Sequence, residues 1–166
     1  MIYILDAYNV IHKIQQLETL LDRNLRSARD GLIEVCGKFA AARGDVSTII
    51  LVFDGKSEFR DLPQISPLKI NLVFSETGED ADERIVKILE KLTEQPHKCV
   101  VSDDNFVRNH ARAYQTRAMS VAEFERFIYS GSKKATPKTR VSEDSSLPPK
   151  IAHEITEAYK KQLGID

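Results

Sequence analysis

Thr48-Ile-Ile-Leu-Val-Phe-Asp-Gly55 decides the reading: a strand-forming run without polar alternation, closed by a carboxylate and a glycine. A half-exposed strand alternates, whereas one covered on both faces reads as a continuous apolar run. Upstream, Arg26 to Arg43 sets Leu32, Val35, Cys36, Phe39 and Ala40 at helical spacing, and Gly44 suits the helix stop. Nearer the N-terminus, Ile2-Tyr-Ile-Leu5 is a second run of strand length, and it too ends in a carboxylate, Asp6. Downstream, Lys69 to Phe74 alternates Ile70, Leu72 and Phe74 with polar or smaller residues, as a strand nearer a sheet edge does. Ala81 to Gln95 reads as a helix with Ile85, Ile88, Leu89 and Leu92 on one face and Pro96 as its stop. Cys99-Val-Val101 reads as another strand, Asn105 to Tyr114 as a short helix, and Ala118-Met119 as a weak last strand. Ser120-Val-Ala-Glu123 has the capping-box pattern and opens a helix to about Ile128. This rhythm predicts an α/β fold with a central, mainly parallel sheet and helices on both faces.

Bulk properties narrow the function classes. With 166 residues and 42% apolar composition, the chain suffices for one core plus an appendage. The net charge of −1 excludes binding nucleic acid by bulk positive charge alone, but not an RNA enzyme with a local basic rim around an acidic centre. No apolar run approaches the roughly 20 residues of a membrane helix. Met1-Ile-Tyr-Ile-Leu-Asp6 reaches a carboxylate too early for a secretory leader, so a cytoplasmic location and no membrane partner are expected. Cys36 and Cys99, far apart in apolar stretches, read as buried reduced thiols rather than zinc ligands. Residues 130–149, rich in Ser, Lys, Thr and Pro, read as a flexible linker. Residues 150–166 read as a C-terminal helix with Ile151, Ile155, Ala158 and Tyr159 on one side, packed on the domain's flank or docking a partner.

The chemistry lies in where the aspartates fall. Asp6 and Asp54 end the first two predicted strands, and Asp80 and Asp82 stand where a helix begins after the third. Asp103 and Asp104 end the fourth. The carboxyl ends of parallel strands share one edge of the sheet, where ligands bind in the crevice. Carboxylates crowded there repel one another, and a divalent cation removes the conflict. An oxygen-only donor set suits Mg²⁺ or Mn²⁺, which in such sites activate water and orient a phosphodiester.

Each acid also has a plainer reading. Asp80 or Asp82 would suit a helix cap and Asp54 a turn; of Asp103 and Asp104, one is expected to cap the next helix and the other to bind metal. Asp6, directly after Ile-Leu, is hardest to explain without a partner. Asn9 reads as a donor to phosphate or to a carboxylate, or as a turn residue. Arg29 and Lys56 read as phosphate contacts, as do Arg60, Lys133, Lys134, Lys138 and Arg140, those in the linker more as solubilising charge. Arg23 and Arg26 suit a solvated helix face equally well, and His12 and His110 have no ligand-like spacing and stay unassigned.

The ordered set Tyr3-Ile-Leu-Asp-Ala-Tyr-Asn-Val-Ile11, Ala28-Arg-Asp-Gly-Leu-Ile33, Val52-Phe-Asp54, Val73 to Ile85 and Val100-Val-Ser-Asp103 resembles the YacP-like NYN domains, PIN-like nucleases. The resemblance covers roughly residues 1–129. It implies a PIN-like Rossmannoid three-layer α/β/α fold and a Mg²⁺- or Mn²⁺-dependent endoribonuclease. By motif it carries over Asp6, Asp82 and Asp103 as catalytic metal ligands, with Asp54 supporting the site and Asn9 beside it; Asp104 joins the expected metal set. A ribosome-associated relative that cuts mRNA during translation makes mRNA and the ribosome expected partners, with no preference for DNA. Asp80 departs from the family, which commonly has an uncharged residue there, and residues 55–68 and the tail after Ser130 follow no family pattern. A haloacid-dehalogenase-type phosphatase would want an acid where Tyr8 stands, and a receiver domain would need a phosphoacceptor Asp at the third strand and a Lys at the fifth, neither of which is evident here. The rival from another class is a noncatalytic module of the same fold that docks on RNA or the ribosome.

Overall fold

The computed structural model describes residues 1–55, the backbone of 65–66, and residues 69–130. Five strands run parallel: β1 (Ile2–Asp6), β2 (Thr48–Phe53), β4 (Ile70–Phe74), β5 (Lys98–Val101) and β6 (Arg117–Met119). A two-residue strand, β3 (Ile65–Ser66), pairs antiparallel with β4 and gives the order β3-β4-β2-β1-β5-β6. β1 and β2 are central, which is why their sequences carry no polar alternation.

The sheet's two faces are covered by different helices. Tyr3, Leu5, Ile49, Leu51, Phe53, Cys99 and Val101 pack into one core with α1 (Ala7–Lys13), α2 (Gln15–Leu21), α3 (Leu25–Ala42) and α6 (Val121–Ser130). Ile4, Val52 and Val100 point the other way, into a second core with Ile85 and Leu89 of α4 (Ala81–Lys91) and Val107 and Ala111 of α5 (Asn105–Ala113). The three-layer α/β/α architecture expected from the rhythm is therefore present. Both cysteines are buried, and burial pushes the thiols up to about 12 at Cys36 and about 11 at Cys99. Among the described residues no helix is long and apolar enough to cross a membrane.

Local chemistry sets the boundaries. The capping box forms as read: the Ser120 hydroxyl accepts the Glu123 N–H at 3.2 Å, and the Glu123 carboxylate accepts the Ser120 N–H at 2.8 Å. One boundary differs by more than two residues. α4 stops at Lys91, before the expected Pro96, because the Thr93 hydroxyl donates back to Glu90 O at 2.7 Å. Lys98 Nζ then takes the freed carbonyls of Leu92 and Thr93 at 2.8 and 3.2 Å. Residues 7–21, which the periodicity leaves without an assigned element, form α1 and α2, hinged at the fully buried, extended Ile14. Residues 131–166, with the predicted C-terminal helix and nearly all of the predicted linker, lie outside the described residues.

Candidate active site

The site is built by strands that end in acids with almost no intervening loop. Asp6 is both the last residue of β1 and the N-cap of α1, its Oδ1 accepting the Asn9 N–H at 3.3 Å. Ile2 and Ile4 face the α4–α5 layer, and the two-residue strand period carries Asp6 to that same side. Ile50 and Val52 of β2 place Asp54 there by the same parity. Asp54 is pinned from behind: its Oδ1 accepts from Ser75 Oγ at 3.0 Å, and that hydroxyl accepts the Gly55 N–H at 3.0 Å. Gly55 has φ of +103°, a conformation in which a side chain is strained.

Two further segments complete the acidic wall. Asp80 caps α4, accepting the Glu83 N–H at 2.8 Å, which leaves Asp82 in the first turn without a capping duty. Ser102, wholly buried after β5, accepts the Asp104 N–H at 3.1 Å and hydrogen-bonds the Asp6 carboxylate. Asp104 caps α5 through one oxygen, Oδ1, at 2.7 Å from Phe106 N and 3.3 Å from Val107 N. Asp6, Asp54, Asp80, Asp82 and Asp104 thus line one open cleft of about 460 Å³, facing Tyr8, Asn9, His12 and Lys13 of α1.

The electrostatics match that crowding. Burial pushes Asp82 up to about 6, helped by Asp6, Asp104, Asp80 and Asp54 in that order. Asp6, only 8% exposed, is also raised, first by burial and then by Asp104 and Asp54, against the Asn9 N–H and the Ser102 hydroxyl. An acid whose folded pKa lies above its unfolded one binds its proton more tightly in the folded state. Asp82 therefore disfavours folding increasingly as pH rises from about 4 to about 6, and the penalty is full above that window. In metal-free buffer, urea unfolding of wild type against Asp82→Asn is expected to diverge across this window. The variant should be the more stable at pH 7 by about 1 kcal/mol, after discounting for solvent screening at a partly exposed site.

Two predicted residues stand elsewhere. Asp103 is not among the cleft's lining residues: its Oδ1 accepts the Val121 N–H at 3.0 Å, and its own N–H donates to Asn9 Oδ1 at 3.1 Å. It ties α6 and α1 to the end of β5, and its neighbour Asp104 faces the cleft instead. Asp103→Ala is expected to cost about 1 kcal/mol in denaturant unfolding through the lost helix contact. Arg29 also lies outside that lining. It is buried, its guanidinium over the rings of Tyr8, Phe53 and Phe74 and donating to the Tyr8 hydroxyl, contacts that brace a cleft residue. Lys56, with Arg60, Lys133, Lys134, Lys138 and Arg140, lies outside the described residues.

Sequence reasoning missed Ser75 and Ser102, the hydroxyls that hold Asp54 and Asp6, and the α1 residues His12 and Lys13. The signal for the latter is spacing: Tyr8, Asn9, His12 and Lys13 share one face once residues 7–13 are read as a helix. Among the described residues no group of three or more His, Cys, Asp or Glu side chains is arranged to hold a metal ion by itself.

An acid-lined crevice at the carboxyl ends of a parallel sheet is the setting in which the comparisons fall. The chain belongs to the YacP-like NYN domain family, PIN-like nucleases, whose family model matches residues 3–164. It is similar to the uncharacterized protein YacP of Bacillus subtilis (strain 168), with 30% identity over 91 residues, 55% of this chain and 52% of that protein. The match thus spans about half the length of that curated relative. It also resembles the crystal structure of Rae1 (YacP) from Bacillus subtilis, with a TM-score of 0.66 and 25% identity, covering 99% of this chain and 88% of that one. A mutant form of Rae1 (YacP) gives a TM-score of 0.65 at 25% identity, covering 79% and 76% of the two chains.

Proposed function

We propose that this chain is a Mg²⁺- or Mn²⁺-dependent endoribonuclease that hydrolyses RNA phosphodiester bonds at the acidic cleft, acting in the cytoplasm on mRNA, with the ribosome as the platform that presents it. The observation that carries the reading is the convergence of Asp6, Asp54, Asp82 and Asp104, from four separate chain segments, on one crevice. Family membership supports the nuclease class.

The donor chemistry fits a hard divalent cation. The acidic wall offers carboxylate oxygens alone, and Asp6 and Asp82 are raised first by burial and then by the neighbouring acids. Mg²⁺ usually keeps several waters and takes only one or two carboxylates beside substrate phosphates, so a site for it does not require three protein ligands already gathered around the ion. Asp6, Asp82 and Asp104 would hold it, with Asp54 supporting. When bound, the cation neutralises phosphoryl charge and favours deprotonation of an attacking water. The chain's own work is positional. Ser102 and the Asn9 N–H fix Asp6, Ser75 fixes Asp54, and the α5 cap fixes Asp104. Held this way, the acids need little reorganisation as charge develops.

The test is cleavage of end-labelled structured and unstructured RNAs by the purified chain with Mn²⁺, Mg²⁺ or EDTA. Internal cuts that need a divalent ion, on naked RNA or on mRNA in translating ribosomes, are expected. RNA that is bound but left intact with every ion, on and off the ribosome, makes the chain a binding module and overturns the proposal.

A further inference from the structure

The α1 wall of the cleft has two kinds of residue. Tyr8 and Asn9 serve the scaffold: Tyr8 accepts from Arg29, and Asn9 Oδ1 accepts the Asp103 N–H. His12 and Lys13, one turn further along the same face, are exposed and line the cleft, and their side chains make no hydrogen bond or ion pair among the described residues. Carboxylates of the facing wall share that cleft, yet Lys13 pairs with none of them. Five carboxylates repel an incoming phosphodiester, so its negative oxygens are favoured on the side of the cleft that carries the ammonium group.

We infer that Lys13, flanked by His12, is the substrate-phosphate contact of this cleft, and that the RNA backbone crosses α1 opposite Asp82 and Asp104. This rests on the nuclease reading and adds to it the side from which the strand enters. Lys supplies a point charge on a long stem, suited to following a flexible single strand. The competing role for both residues is complementing the carbonyl end of α1, where they occupy the last turn. That role affects helix stability and leaves RNA affinity unchanged.

The experiment compares wild type, Lys13→Gln, Lys13→Arg and His12→Gln as full chains. The readouts are steady-state cleavage of an unstructured oligoribonucleotide with Mn²⁺, its binding by fluorescence anisotropy at several salt concentrations, and thermal unfolding with and without Mn²⁺. Lys13→Gln is expected to raise KM and Kd roughly tenfold with kcat within about twofold, and to reduce the log–log salt slope by about 0.7, one single-strand phosphate contact. Lys13→Arg should stay within about threefold of wild type, His12→Gln should show a smaller rise in KM, and the Mn²⁺-induced stabilisation should be unchanged in all three variants. A Lys13→Gln protein with wild-type KM and salt slope overturns the inference, as does one that loses the Mn²⁺ response. Should wild type bind RNA without cutting it, the nuclease reading fails while the anisotropy still decides the role of Lys13.

Discussion

Asp6→Asn is expected to lower divalent-dependent RNA cleavage by about a thousandfold or more while leaving the metal-free protein at least as stable as wild type. The activity loss follows from removing one of the central charges of the acidic wall, where a cation's stabilisation of phosphoryl oxygens is worth several kcal/mol. The stability result has the opposite sign because Asp6 is a buried acid whose charged form is disfavoured by burial and by Asp104 and Asp54. Asn keeps the shape and still accepts the Asn9 N–H as an N-cap, at little or no cost to α1. Single-turnover cleavage and thermal unfolding in EDTA and in Mn²⁺ report both halves. Wild type should gain stability with Mn²⁺, as any ligand of the folded state requires, and the variant should lose most of that gain. Equal cleavage by the two proteins would place the chemistry elsewhere.

Arg29→Ala is expected to destabilise the domain by about 3 kcal/mol without altering its affinity for RNA. The guanidinium carbon lies 5.6, 5.4 and 6.0 Å from the ring centroids of Tyr8, Phe53 and Phe74. Truncation removes desolvated cation–π contacts, the packing of the aliphatic stem and the hydrogen bonds to the Tyr8 hydroxyl. Because Tyr8 lines the cleft, kcat should fall modestly as that wall loosens, whereas KM and the salt slope should hold. Urea unfolding with RNA binding at two salt concentrations separates the outcomes. A stable Arg29→Ala protein with weakened, less salt-sensitive RNA binding would restore the phosphate-contact role that the sequence suggests.

The sheet was legible because its strands are covered on both faces. Thr48–Phe53 has the limits read from the run itself, and the other predicted strands and helices differ by a residue or two, except α4, which ends four residues early. What escaped was fixed by contacts the pattern does not encode. Ile14 breaks the segment after Asp6 into two short helices through a buried, extended backbone rather than through Gly or Pro. The acidic edge was legible as a set, since strand ends share one side of a parallel sheet. The division of labour between Asp103 and Asp104 was not. Both are acids at a strand exit, and only the backbone path decides that one reaches Val121 while the other reaches the start of α5. The surroundings of Arg29 escaped for a related reason: its charge suggests solvent, and only the fold brings Tyr8, Phe53 and Phe74 around it.

β1 hands over to α1 at Asp6 with no spacer residue, and Asp6 is held in register against Val52 of β2. An insertion or deletion of one residue before this junction would swing the carboxylate through the sheet plane, towards Phe39 and Phe124. Most enzymes vary their loops to retune a site; here the pivotal acid sits on the frame itself. Variation is then open to the surrounding segments, while the spacing from Ile2 to Asn9 has no slack to give.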